Sequence, residues 1–105
     1  MHDRKGVLLI VYDLPVETSD ERRNAQRFRK NLISQGFISL QKSVYVKLIH
    51  NDSMAESEIL QIKEISPKEG TINVIPMSLN VFRAMQTLCG EPFNQSLFSD
   101  DIVVL

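Results

Sequence analysis

Several features are scarce in this sequence, and each scarcity excludes something. Its 105 residues hold one cysteine, Cys89, which excludes an intramolecular disulfide and a cysteine-based zinc cluster. No apolar run approaches the roughly 20 residues of a membrane span, and no charged-then-apolar leader opens the chain, so a soluble, intracellular protein without a membrane partner is expected. Internal repeats, low-complexity tracts and domain linkers are missing too, so residues 1–105 are expected to form a single domain. At this length a domain buries roughly 65% of the surface its unfolded chain exposes. Disorder is excluded in turn, because 43% of the residues are hydrophobic and they fall into periodic segments.

Strong net charge is also missing. The formal value is −1, whereas a nucleic-acid-binding domain is usually basic. The sum hides an asymmetry. Residues 1–50 carry nine Lys/Arg against five Asp/Glu (9 − 5 = +4), and residues 51–105 carry three against eight (3 − 8 = −5). A domain of this size has a radius of gyration of about 13 Å, and the physiological Debye length is only about 8 Å. If the halves occupy different faces, each face acts with its own charge.

What is present reads as alternating strands and helices. Residues 7–12 (Val-Leu-Leu-Ile-Val-Tyr) are an unbroken run of β-formers closed by Asp13-Leu14-Pro15, as in a strand buried on both faces. Thr18-x-x-Glu21 has the form of a capping box and opens a helix. Acidic Asp20 and Glu21 sit in its first turn, Arg29 and Lys30 near its end, and Gly36 stops it; Ala25, Phe28 and Leu32 form its core stripe. Residues 37–49 read as two strands with a sharp break at Gln41-Lys42-Ser43. Ser53-x-x-Glu56 repeats the capping-box form and predicts a second helix with Ala55, Ile59 and Ile62 inward, ended by Pro67 and Gly70. Residues 71–77 form a fourth strand in which Pro76 marks the end or an edge. Ser78 is expected to cap a third helix with Val81, Phe82, Met85 and Leu88 on one side, Cys89 in its apolar side as a small core residue, and Gly90 after it.

The order β-α-β-β-α-β over about residues 7–77 predicts an α+β, ferredoxin-like sandwich, followed by a C-terminal helix and a terminal strand over about 78–105. Helices cover one face of such a sheet, yet the inner strands are apolar on both. The closing Ile102-Val103-Val104-Leu105 has no slot within the fold. A homodimer that buries the open faces and exchanges the C-terminal strands resolves both points.

Asp13 is the sharpest candidate for chemistry, at the end of an inner strand. An aspartate here also serves simply to shape the turn, and position alone does not separate the two roles. Mg²⁺ is held by one or two carboxylates with water and substrate phosphate. No D-x-D or E-x-x-H pattern supplies a second ligand, but in a dimer two-fold symmetry can bring two Asp13 side chains together to share one ion. On the first helix Arg23, Arg27 and Lys30 point away from the core stripe and Arg22 and Arg29 flank it, with Arg4, Lys5, Lys42 and Lys47 in the same half of the chain. A solvated face is the common reason for such a run, and phosphate contact is its competitor. His2 and His50 lack partners at metal-site spacing and are expected at the surface. Ser43 lacks a nucleophile's His/Asp neighbours, and Tyr45 is expected to pack in the core or an interface. The interleaved aromatics of an RNA-recognition sheet are absent.

Several stretches together resemble a known family, the CRISPR-associated endonucleases numbered two, in the branch accompanying type II systems. They are Leu9-Ile10-Val11-Tyr12-Asp13-Leu14-Pro15, Arg27-Phe28-Arg29-Lys30-x-Leu32 leading to Gly36-Phe37, Gln41-x-Ser43-Val44-Tyr45-x-Lys47-Leu48, Pro67-Lys68-x-Gly70 and the closing Ile102-Val103-Val104-Leu105. The resemblance implies a cytoplasmic, prokaryotic, ferredoxin-like homodimer with exchanged C-terminal strands. It implies that Asp13 is the metal-binding aspartate, one per chain, in a Mg²⁺-dependent endonuclease acting on single-stranded RNA or double-stranded DNA. It also implies a scaffold that carries spacer-precursor DNA between integrase subunits, with Arg22, Arg23, Arg27 and Lys30 on the DNA backbone. Many relatives place Phe after the Ser-Val pair and a Gly soon after, where this chain has Tyr45-Val46-Lys47. Two other readings of the residues stay open: a stand-alone, toxin-like endoribonuclease of related fold, and a non-enzymatic ferredoxin-like domain that binds a small metabolite.

Overall fold

The computed structural model describes residues 5–98. His2, Arg4 and the expected tail strand of Ile102, Val103, Val104 and Leu105 lie outside the described residues. The apolar run forms β1 (Gly6–Asp13), and its two-faced hydrophobicity is answered by an inner position. Around it stand β2 (Ile38–Gln41), β3 (Val44–Ile49) and β4 (Thr71–Ser78), antiparallel throughout in the order β2-β3-β1-β4. The register pairs Val7 with Leu48 and Ile10 with Tyr45 on one side of β1, and Leu9 with Ile75 and Asp13 with Thr71 on the other. With α1 (Ser19–Ser34) and α2 (Asp52–Ile65) inserted between the strands, the chain has the expected ferredoxin-like βαββαβ order. Pro76 is tolerated because β4 is an edge strand. Among the described residues, no helix is long and apolar enough to cross a membrane.

Local chemistry accounts for each boundary. Thr18 Oγ1 accepts the Glu21 N–H at 3.0 Å while Glu21 Oε1 accepts the Thr18 N–H at 3.0 Å, a reciprocal capping box. The helix it opens runs a turn beyond Arg29 and Lys30, so its last turn holds no cation. Gly36 then turns the chain at φ 100°. At α2 the cap differs from expectation: Asn51, not Ser53, takes the N-cap, its Oδ1 accepting the Met54 N–H at 2.8 Å. The inward stripe shifts with it. Met54, Ala55, Glu58, Ile62 and Ile65 meet the core, while Ile59 sits at the margin with 36% of its surface exposed.

The C-terminal part departs further. Ser78 does cap a helix, accepting the Val81 N–H, but α3 spans only Leu79–Arg83. Phe82 alone is buried from the expected stripe; Leu88 is 91% exposed and Cys89 is exposed rather than a core residue. A short helix in water is marginal without tertiary burial, and burial ends after one turn. A 3-10 turn, Gln95–Phe98, follows without a counterpart in the expected element order.

Two clusters form the core, one on each sheet face. Leu8, Ile10, Phe28, Leu32, Tyr45 and Ile62 pack between sheet and helices. On the other face Val7, Val46 and Leu48 are buried under Phe82 and Phe98. The second face is thus partly covered by the chain itself, contrary to the expectation of a wholly open face. Its cover ends short of Asp13: Val11 and Val44 are half-buried, and Ile75 is 42% exposed.

Candidate nucleic-acid interface

Asp13 ends β1 with its side chain exposed. Strand alternation puts it with Val7, Leu9 and Val11, on the face away from the two helices. Its backbone is held tightly on the β4 side. Gly70 (φ 95°) lies so close that a Cβ there would stand 2.6 Å from the Asp13 carbonyl oxygen and 2.8 Å from Leu14 Cδ2. Only glycine fits that approach and that conformation together.

Beside Asp13 a groove of about 970 Å³ runs between α1 and the β2–β3 turn. Its walls carry Arg22, Arg23, Arg29 and Lys42, with Tyr12 at its floor and Asp13 at one end. The turn that delivers Lys42 is built on an irregularity: the register shifts between Ser39 and Gln41, and Ser43 takes a left-handed φ of 60°. The Ser43 carbonyl then accepts the Tyr12 N–H at 3.1 Å, which ties the turn to the end of β1. The Tyr12 ring packs edge-on against Phe28 at 5.0 Å and stacks on Tyr45 at 6.1 Å. Burial above all, and then the facing Tyr45 phenol, push the Tyr12 hydroxyl above its usual value of 10.0, against a hydrogen bond from Ser43 and the charge of Arg29. Tyr12 therefore remains a neutral hydroxyl at the groove floor throughout the physiological range.

The four basic residues named from sequence are not one cluster. Arg22 and Arg23 line the groove beside Asp13, but both have intramolecular partners. Arg22 Nη1 donates to the carbonyls of Val16 (3.1 Å) and Glu17 (2.9 Å), and Arg23 pairs with Asp20 at 3.0 Å across a solvent-exposed contact. Arg27 lines a different groove of about 580 Å³, between α1 and the end of α2, opposite Lys68. Lys30 is exposed on α1 and lines neither groove. Sequence reasoning left Arg29 and Lys42 out of the site. Arg29 had a usable signal, since positions 22, 26 and 29 share one helix flank. Lys42 had none, because a bulged turn places it there. Lys47 leaves the basic surface altogether: its ammonium meets Glu58 Oε2 at 2.7 Å and the Gln35 carbonyl at 2.6 Å.

Tyr45-Val46-Lys47, which departs from the family pattern, is thereby explained as structure. Tyr45 stacks on Tyr12, Val46 enters the second core, and Lys47 pairs with α2. As for a metal, no group of three or more His, Cys, Asp or Glu converges among the described residues.

Comparison with known proteins places the chain among relatives. The family described as CRISPR associated protein Cas2 matches residues 7–85. A Ligilactobacillus salivarius protein is 39% identical over 88 residues, covering 84% of this chain and 87% of its own. A Streptococcus mutans protein is 37% identical over 97 residues, covering 92% and 91% respectively. A Treponema denticola protein is 36% identical over 98 residues, covering 93% and 97%. All three are named CRISPR-associated endoribonuclease Cas2.

Proposed function

The chain belongs to the CRISPR-associated Cas2 family, and from that membership we propose a homodimer that binds nucleic acid in CRISPR adaptation and cleaves a phosphodiester at paired Asp13 residues. The observation that carries this reading is the position of Asp13. It stands at the end of an inner strand, at the margin of a partly uncovered apolar face and beside a groove with four cations. The uncovered end of that face is where a second copy docks by two-fold symmetry. The same symmetry brings the second Asp13 to the first.

A single exposed carboxylate is a poor metal site, but two related by the dimer axis match what Mg²⁺ takes from a protein, with water and substrate phosphate completing its shell. When bound there, the ion supplies Lewis-acid charge at the scissile phosphate and lowers the pKa of a bound water. The chain's own residues do the rest. Arg29 and Lys42 attract and orient the phosphate backbone. Arg22, Arg23, Arg27 and Lys30 extend the basic surface along α1. The substrate is single-stranded RNA, as the relatives' endoribonuclease name suggests, or double-stranded DNA. The bound cargo in adaptation is spacer-precursor DNA, and the acidic second half of the chain meets the integrase subunits. The exchanged tail strand, Ile102, Val103, Val104 and Leu105, completes the dimer, in the cytoplasm of a prokaryote.

Asp13→Ala tests the chemistry. Cleavage in Mg²⁺ should fall about a hundredfold or more, since losing even an outer partner of a metal site costs up to that. Nucleic-acid affinity should stay unchanged. Cleavage at the wild-type rate would remove Asp13 from the site. Spacer acquisition by the same variant separates the two roles: retention assigns adaptation to the scaffold alone.

A further inference from the structure

Asp13 is followed by a loop, residues 14–18, whose backbone is fastened from one place. Glu21 Oε1 accepts two of its N–H groups, those of Glu17 (2.9 Å) and Thr18 (3.0 Å). The next residue, Arg22, takes the carbonyls: Nη1 donates to Val16 (3.1 Å) and Glu17 (2.9 Å). Adjacent side chains in the first turns of α1 thus clamp both the donors and the acceptors of the loop. On the other flank Gly70 presses against the Asp13 carbonyl and Leu14. The loop after β1 is held between these two supports, and the clamped residues Val16 and Glu17 are themselves exposed. Without the clamp those carbonyls turn to water, which offers no fixed direction.

Arg22 has the geometry for this and lysine does not. Two N–H bonds from one nitrogen of a planar guanidinium reach two successive carbonyls in a fixed fork, whereas an ammonium on a flexible stem is a point charge. An arginine serving chiefly as a phosphate contact has no need to turn back five and six residues along its own chain.

We infer that Arg22 is a positioning residue: it locks the loop after β1 onto the first turn of α1 and so aims the Asp13 carboxylate. The inference rests on the reading of Asp13 as the cleaving site's carboxylate. It predicts a separation of catalysis from binding, because misplacing a reacting group by about 1 Å costs on the order of a hundredfold while charge-based affinity is unaffected.

The experiment compares Arg22→Lys with Arg22→Gln in the full-length protein. Three quantities are read: kcat and KM for single-stranded RNA cleavage in Mg²⁺, the salt dependence of oligonucleotide binding, and amide hydrogen exchange of residues 14–18. In Arg22→Lys, kcat should drop about tenfold or more with KM and salt slope unchanged. Exchange at residues 16–18 should accelerate while β1 and β3 stay protected. Arg22→Gln should lose kcat equally. If Arg22 is instead a phosphate contact, Arg22→Lys will resemble wild type, and Arg22→Gln will weaken binding with a salt slope lower by about one; that result overturns the inference. Unchanged exchange in the loop overturns it as well, whatever the rates. Equal cleavage by wild type and Asp13→Ala overturns the reading of the site, and the inference with it.

Discussion

Lys47 is the residue whose role changes most between sequence and structure. As one of nine cations in the first half of the chain it belongs to a basic surface. In the fold it is 18% exposed and lies against Glu58, 10% exposed, at 2.7 Å. Gln35 completes the group, donating its side-chain amide to Glu58 Oε1 at 2.8 Å while its carbonyl accepts from Lys47 at 2.6 Å. The ammonium thereby serves the C-terminal end of α1, where the helix dipole is negative and the helix has no cation of its own. Removing one partner of such a pair strands the other charge, whereas replacing both with apolar groups is close to neutral. Lys47→Met should therefore lower stability by about 3 kcal/mol, and Lys47→Met with Glu58→Leu should recover most of that loss. Urea titration of the four members of the cycle measures it; a cost below about 1 kcal/mol for the single variant would place the pair among ordinary surface bridges. The pairing was not legible because Lys47 and Glu58 share no element and no sequence spacing. Only the stacking of α2 on β3 brings them together.

At the scale of elements, legibility followed the strength of local signals. β1 could be placed because its apolar run has no polar interruption, and α1 because its capping box is satisfied on both sides. The N-terminus of α2 was misread by two residues because Asn51 and Ser53 are both good caps. α3 was overextended because Val81, Met85 and Leu88 keep helical spacing without a surface to meet. What the pattern could not convey is that the chain then turns back over the sheet. Phe82, Phe93 and Phe98 form a three-ring cluster with centroids 5.2–5.6 Å apart, roofing the Val7, Val46 and Leu48 end of the second face. Phe98 is the far anchor of that roof, 4% exposed. Phe98→Ala should cost about 3 kcal/mol, within the range for emptying a phenylalanine site. Amide exchange should then rise from α3 to Gln95–Phe98 ahead of β1. Thermal denaturation and exchange together check this, and an unchanged melting temperature would mean that the roof contributes nothing to the isolated fold.

At the scale of the whole molecule, the charge asymmetry of the sequence does not become a pair of opposite faces. α1 and α2 lie on the same side of the sheet, so the two halves of the chain are not on opposite surfaces. The basic flank of α1 faces the β2–β3 turn, while Asp52 of α2 and Lys5 together border a hollow beside the start of β1 and the end of β4. The molecule is flat and broad, 48 × 36 × 19 Å. On the proposed reading the active unit exceeds one chain: one aspartate per protomer takes a second protomer to make a metal-binding pair. That requirement has a numerical signature. In dimers reassembled from wild-type and Asp13→Ala chains mixed equally, random pairing leaves about a quarter of the dimers with both carboxylates. If the two carboxylates act on one shared site, cleavage per total protein should fall to about that quarter and follow the square of the wild-type fraction. If each Asp13 works alone in its own groove, the decline is linear, and half the activity remains. Titrating the mixing ratio distinguishes a parabola from a straight line without knowledge of the substrate's sequence, and a straight line would return the site to the single protomer.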